Sequence, residues 1–215
     1  MDNDTFYKYL EQLFGPNAKF RKDQLEAIKA TVTNHFTLVV EKTGWGKSLV
    51  YFFATKYFRE KGYGPSIIIS PLLSLMRNHT ENASRLNLNT RMLTGDTHKN
   101  GESEEVFLEL YENKIDILFV TPEQLAKSEI QKKLARNITT ELKLFVIDEV
   151  HCISEWGHDF RPNFLEIKDF VNSDLVRNKN IHILATTATA DNFVIKDLLD
   201  QFKTDIHVIR GPLAR

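Results

Sequence analysis

Short apolar runs alternate with longer amphipathic stretches along this chain, and no other feature limits its fold so tightly. The runs are Phe36–Val40, Ser66–Ser70, Thr90–Leu93, Ile117–Thr121, Leu144–Asp148, His182–Thr186 and Ile206–Ile209. Several are rich in Ile and Val and most are too short for helices, so they read as strands. Helical patterns fill the gaps at Ser48–Arg59, Leu73–Leu86, Glu104–Tyr111, Asn163–Val176 and Asn192–Phe202, and two more, about Thr5–Phe14 and Lys22–Thr33, precede the first strand. Alternation of this kind predicts an α/β fold, a mostly parallel sheet with helices on both faces. Ligands of such sheets sit at the carboxyl ends of the strands. The chemistry is therefore expected just after Val40, Ser70, Thr121, Ile147 and Thr186.

Composition bounds the reading further. A chain of 215 residues holds one large domain or two small ones and can bury a core without staples. Only 9 Gly and 6 Pro argue against a linker-rich or disordered chain. The single cysteine, Cys152, excludes an internal disulfide and a multi-cysteine zinc site, and suits a reducing compartment. The N-terminus is acidic and polar, unlike a secretory signal, and no apolar run approaches the ~18 residues of a membrane span. The expectation is a cytoplasmic protein, bacterial-type or nuclear if eukaryotic, without a membrane partner. Net charge is −1, so a nucleic-acid partner must be held by a local patch. The acidic stretch from Glu102 to Glu112 reads as a solvated helix face.

The first strand runs into Glu41-Lys42-Thr43-Gly44-Trp45-Gly46-Lys47-Ser48 and then a helix. Glycines let backbone N–H groups converge on phosphate oxygens, and the helix N-terminus adds positive potential. Thr43, Gly44 and Gly46 form the cradle, Lys47 can reach the β and γ phosphates, and Ser48 can ligate Mg²⁺. Glu41 stands where the general pattern has glycine. A carboxylate facing phosphates would repel them, so Glu41 is expected to point away. Trp45 is expected over the nucleotide or in solvent.

The run Leu144–Ile147 ends in Asp148-Glu149-Val150-His151. Adjacent carboxylates at a strand end, downstream of a phosphate loop, supply the other half of an ATP site. Asp148 would hold Mg²⁺, Glu149 would orient and deprotonate the attacking water, and His151 could sense the γ-phosphate. Cys152 lacks zinc spacing with its neighbour and reads as a small buried thiol.

With these motifs together, the chain resembles the first motor lobe of a RecQ-type DNA helicase, within the DEAD/DEAH-like superfamily 2. The resemblance runs from about Phe14 to Arg215 and implies a RecA-like P-loop domain. Phe20-Arg21-Lys22-Asp23-Gln24 resembles the adenine-recognition element, which implies that Gln24 reads the adenine edge and Arg21 contacts the base. The aromatic that usually precedes this element is replaced by Pro16 and Asn17. Ser70-Pro71-Leu72-Leu73-Ser74-Leu75-Met76 resembles the motif that contacts the DNA backbone. Thr121-Pro122-Glu123-Gln124-Leu125 resembles the motif that follows it, and Thr187-Ala188-Thr189 the motif that links hydrolysis to strand movement. The stretch from Ser154 to Pro162 resembles the aromatic-rich loop that senses single-stranded DNA, implying coupling roles for Trp156, His158, Phe160 and Arg161. Aromatic stacking and an arginine on phosphate suit that role physically. Arg77, Arg85, Arg91 and Lys99 could form a phosphate track or simply a solvated face. Asn78 and His79 receive no role.

The expected organisation is residues 1–34 as N-terminal helices carrying the adenine-recognition element, 35–210 as the ATP-binding lobe, and 211–215 as the start of a connector to a second lobe. Too little sequence follows Ala190 for that lobe, so the chain reads as truncated, with weak Mg-ATP binding and no unwinding of its own. The implied parent is an ATP-dependent DNA helicase moving 3′ to 5′, with DNA and the second lobe as partners and ATP and Mg²⁺ as cofactors. The alternatives are a non-enzymatic nucleic-acid-binding module with a vestigial nucleotide site, or another superfamily 2 motor such as an RNA helicase or a restriction-type translocase.

Overall fold

A computed structural model describes residues 3–71, 73–138, 142–153, 163–173, 181–188, 192–202 and 204–211. The strands are β1 (Phe36–Val40), β2 (Ser66–Ile69), β3 (Thr90–Leu93), β4 (Ile117–Val120), β5 (Leu144–Asp148), β6 (His182–Thr187) and β7 (His207–Arg210). They form one sheet in the order β3-β4-β2-β5-β6-β1-β7, and every pairing is parallel. The helices are α1 (Asn3–Phe14), α2 (Gln24–Thr33), α3 (Lys47–Glu60), α4 (Leu73–Arg85), α5 (Gly95–Lys99), α6 (Ser103–Tyr111), α7 (Pro122–Leu125), α8 (Ser128–Ile138), α9 (Asn163–Asn172) and α10 (Asn192–Phe202), with a 3₁₀ turn at Val150–Ile153.

The central strands are apolar on both sides because both faces are covered. Successive strand residues point to opposite faces. Leu38, Ile67, Leu118, Phe145 and Ile183 pack with α6, α8, α9 and α10, while Val39, Ile68, Phe119, Val146 and Leu184 pack with α1 to α4. Each such side chain, fully buried, contributes on the order of 1.5–3 kcal/mol. Helix α1 docks through Phe6, Tyr9, Leu10 and Leu13, one stripe at helical spacing. Helix α3 is different, since eight of its residues from Leu49 to Phe58 are buried. It lies on the sheet beneath α1, α2 and α4, which is why its sequence, Leu49-Val50-Tyr51-Phe52-Phe53-Ala54, lacks a polar face.

Strand and helix positions follow the expectations closely. Ser70 and Thr121 fall one residue beyond their strands, although their N–H groups still join the ladder, to Val120 O at 3.2 Å and Leu93 O at 3.2 Å. Helices α5, α7 and α8 were not anticipated. In α8 only Ile130 and Leu134 carry the apolar stripe of its first two turns, a pattern easily lost among charges. The acidic stretch does more than face water: Arg91 clamps Glu109 with two hydrogen bonds of 2.6 Å, and Lys133 pairs with Glu104.

Candidate nucleotide site

The register of the sheet brings the motifs to one edge. Strands β2, β5, β6 and β1 lie side by side, so their carboxyl ends deliver Ser70, Asp148, Thr186 with Thr187, and the phosphate loop in sequence across the sheet. The loop leaves β1 at Val40, and both its glycines sit at positive φ, 81° for Gly44 and 99° for Gly46. That backbone is open to glycine and strained for any other residue at these values. Gly46 also faces Gln24, whose Nε2 would lie 2.7 Å from an added Cβ. Lys47 is the first residue of α3 and donates from Nζ to Glu41 O at 2.9 Å, back across the loop. The N-terminus of α3 therefore opens onto a cleft of about 190 Å³ lined by Thr43, Gly44, Gly46, Lys47, Ser48, Tyr51, His79, Asp148 and Glu149.

Asp148 is buried and forms the floor of the site. Its carboxylate accepts from Thr186 Oγ1 at 2.5 Å and Ser70 Oγ at 3.3 Å. Burial, with the neighbouring charge of Glu149, pushes its carboxyl up to about 6 despite these donors. The chain then turns at Glu149, a non-glycine residue at φ 56°, a conformation costing on the order of 1–2 kcal/mol. Burial would raise the Glu149 carboxyl, but a contact with His151, the charge of Lys47 and the Ala188 N–H together hold it below its ordinary value. His151 Nδ1 lies 2.9 Å from Thr187 Oγ1 and 3.3 Å from Glu149 Oε2, and Cys152 Sγ lies 3.8 Å from its Nε2. The sulfur contact and the Glu149 carboxylate favour the imidazolium and raise His151 to about 9. Cys152 itself is buried, as expected of a packed thiol.

A second, larger cleft of about 490 Å³ adjoins the loop, lined by α1, the segment after it and the loop itself. Arg21, Gln24, Gly44, Trp45, Gly46 and Ser48 all face it, as does Phe14, whose ring is 61% exposed. Gln24 is buried and holds the loop through Nε2 to Trp45 O at 2.6 Å, while its Oε1 accepts the Arg21 N–H at 2.7 Å. The Arg21 guanidinium donates to Gly44 O.

Two loop side chains with stated expectations, Glu41 and Trp45, are placed by the structure. The Glu41 side chain points away from the phosphate cleft, buried against Gly211 beyond the end of β7. Trp45 does not face solvent, and it lines the larger cleft rather than the phosphate cleft. It is 5% exposed, packs in the core between α1, α2 and α3, and donates from Nε1 to Lys22 O at 3.1 Å. An indole between two glycines turns inward because its apolar area outweighs the cost of threading it there.

Of the other anticipated residues, Thr121 is buried at the start of α7 and Pro71 is half-buried after β2. Arg91 is engaged by Glu109, which ties β3 to α6, and Arg85 donates to Leu13 O, which ties α4 to α1. Trp156, His158, Phe160, Arg161 and Thr189 lie outside the described residues. Three site residues carried no sequence signal of their own: Thr186, Tyr51 and His79. Thr186 precedes a recognised motif by one residue, and strand alternation alone would have turned it toward Asp148.

Comparison with known proteins agrees with this geometry. A family model described as "DEAD/DEAH box helicase" matches residues 21–198. The chain belongs to the DEAD/DEAH box helicase family. It is 34% identical over 184 residues to the ATP-dependent helicase SGS1 of Saccharomyces cerevisiae, covering 84% of this chain and 12% of that protein. It is 36% identical over 202 residues to the RecQ-like DNA helicase BLM of Xenopus laevis, covering 91% of this chain and 14% of that protein. The similarity is therefore to a RecQ-type first lobe, and the chain spans about an eighth of these relatives' length. Among solved structures, a hypothetical ATP-dependent RNA helicase from Sulfolobus tokodaii superposes with TM-score 0.67 at 19% identity, covering 98% of this chain and 57% of that one. The helicase MrfA bound to DNA superposes with TM-score 0.74 at 14% identity, covering 97% and 29%. These likenesses speak for the RecA-like fold of this helicase lobe.

Proposed function

We propose that the chain is the ATP-binding motor lobe of an ATP-dependent DNA helicase of RecQ type, which with a second lobe couples hydrolysis to 3′-to-5′ movement on single-stranded DNA. The observation that carries this reading is the convergence of Lys47, Ser48, Asp148 and Glu149 on one cleft at the carboxyl edge of the sheet, with His151 beside Glu149. The donor set fits Mg²⁺, since Ser48 and Asp148 offer hard oxygen ligands beside a phosphate cradle. The cation would neutralise charge on the phosphates. Lys47 exchanges its carbonyl partner for the phosphates, and Glu149, kept ionised, accepts a proton from the attacking water. His151 bridges Glu149 and Thr187, which supports a role in passing the state of the site to the strand-movement motif. The base lies in the larger cleft, where Phe14 offers a ring in place of the missing aromatic.

Glu41 and Trp45 are the loop residues that would favour a vestigial site, and neither lines the phosphate cleft. The test is nucleotide binding by this chain and ATPase activity of the longer protein that contains it, with single-stranded DNA, RNA or neither. Stimulation by single-stranded DNA, and its loss in Lys47→Ala and Glu149→Gln, is expected. Stimulation by RNA alone would point to an RNA motor, and binding without turnover in the longer protein would point to a vestigial site.

A further inference from the structure

Trp45 stands between Gly44 and Gly46, the two loop residues whose backbones are freest to rotate. A Gly-x-Gly segment with a small middle residue samples many conformations. Here the middle side chain is buried and belongs to an apolar cluster that includes Leu10, Leu13, Leu49 and Phe52. Its Nε1 donates to Lys22 O at 3.1 Å. Two more bonds join the same stretches of chain: Gln24 Nε2 donates to Trp45 O at 2.6 Å, and the Arg21 guanidinium donates to Gly44 O. Gln24 Oε1 accepts the Arg21 N–H at 2.7 Å, which braces these two donors against each other. The phosphate loop at residues 44–45 is thus bonded along residues 21–24, the segment that resembles the adenine-recognition element. Gly44 and Gly46 line both clefts, whereas Trp45 lines only the larger one.

We infer that Trp45 is a positioning residue whose buried indole pins the phosphate loop to the 21–24 segment, so that the phosphate cradle is formed before a nucleotide arrives. The Gln24 and Arg21 bonds reach backbone carbonyls, and those carbonyls stay in range only while the loop keeps one conformation. The indole supplies that constraint through its buried apolar area and its single donor. The flanking glycines accept the backbone angles the cradle needs, and the indole removes the freedom they would otherwise keep. A loop already held in its bound shape gives up no further conformational entropy on binding, which raises affinity. The gain falls on the phosphate groups, because the backbone that Trp45 holds is the wall of the phosphate cleft.

The inference rests on the reading of residues 43–48 as a phosphate cradle, and the experiment separates the two. The chain is titrated calorimetrically with Mg-pyrophosphate, which engages the loop without a base, and with Mg-ADP. Trp45→Phe keeps a buried ring and removes the donor to Lys22 O. The loop is then free to leave the cradle conformation, and apparent affinity falls with the fraction that stays competent. Both ligands are expected to weaken by the same factor, about tenfold for one hydrogen bond, and further in Trp45→Ala. In a Trp156→Phe background Trp45 is the sole indole. Its emission is expected to be shielded from acrylamide without ligand and to stay so on addition of Mg-ADP. An indole that is quenched freely in the empty protein and shielded only on binding would overturn the inference, since the cradle would then form with the ligand. Weaker ADP binding with pyrophosphate affinity kept would make Trp45 a wall for the base and overturn it. A lower melting temperature with both affinities unchanged would reduce Trp45 to core packing and overturn it too. If Lys47→Ala leaves pyrophosphate affinity unchanged, or the wild type binds no pyrophosphate, the cradle reading fails as well. If Lys47→Ala loses that affinity while Trp45→Phe keeps it, only the inference about Trp45 fails. Trp45→Phe and the emission measurement decide the matter even if Trp45→Ala does not fold.

Discussion

Nδ1 of His151 lies 2.9 Å from Oγ1 of Thr187, joining the residue that closes the acidic turn to the last residue of β6. The same nitrogen lies 3.3 Å from the Glu149 carboxylate. One imidazole thus touches the group proposed to activate water and the motif that resembles the hydrolysis-to-movement link.

That arrangement predicts a pH signature. Contact with Cys152 and the Glu149 carboxylate raise His151 from its ordinary 6.5 to about 9 in the fold. A raised histidine stabilises the fold fully below its unfolded pKa, and the stabilisation fades as pH rises through the folded value. Melting temperature should therefore fall between pH 6.5 and 9 more steeply in the wild type than in His151→Gln. Parallel melting curves for the two proteins across that window would show that His151 is not charged in the fold.

Asp148 predicts the opposite kind of trade. Its carboxyl is raised to about 6 mainly by burial, so it is uncharged and least costly at low pH, and the fold loses stability as pH rises from about 4 through 6. Asp148→Asn keeps an acceptor for Thr186 and can donate to Ser70. In metal-free protein at pH 7 it should be the more stable by up to about 3 kcal/mol, shrinking toward pH 4. The same change should abolish magnesium-dependent nucleotide binding. Denaturant titrations at pH 4.5 and 7 check the first statement.

The strands were legible because burial on both faces leaves nearly continuous Ile, Leu and Val, as in Ile67-Ile68-Ile69. The phosphate loop and acidic turn were legible because their chemistry demands fixed residue types at fixed spacing. That Trp45 is buried rather than in solvent was not legible, because the sequence shows its neighbours in the loop but not the apolar cluster it joins. His79 was passed over for a related reason. It lies 28 residues beyond Tyr51, and only the packing of α4 on α3 joins them. Short helices such as α7, whose start depends on Pro122 at its first position, fall below the length at which periodicity speaks.

The two loop glycines should differ in their tolerance. Both are at positive φ, so alanine at either strains the backbone by about 1–2 kcal/mol. Gly44 has open space where a Cβ would go, whereas at Gly46 the Cβ meets Gln24 Nε2. Gln24 cannot retreat without losing its bond to Trp45 O. Gly46→Ala should therefore cost more stability than Gly44→Ala and also weaken nucleotide binding through the displaced Gln24. Equal costs in chemical denaturation would show that backbone conformation alone matters there.

Glu41 and Gly211 make the last prediction, because they explain how a carboxylate survives in a phosphate loop. Glu41 carries its N–H to Thr187 O at 3.1 Å and gives its carbonyl to Lys47, which fixes its backbone on the β1 side of the loop. Its side chain is then turned to the end of β7, where the Gly211 N–H binds Val40 O at 3.2 Å. Burial there raises the Glu41 carboxyl above its ordinary value. A Cβ on Gly211 would collide with that carboxylate. Gly211→Ala should thus destabilise the fold by about 1–3 kcal/mol, the usual cost of overpacking. It should also push Glu41 back toward the phosphates and weaken nucleotide binding. In the Glu41→Gly background, which restores the residue usual at this loop position, the same Gly211→Ala change should cost little. A double-mutant cycle read by both denaturation and ADP titration measures the coupling. Additive effects in both readouts would mean that Glu41 is kept from the phosphates by something other than its contact with Gly211.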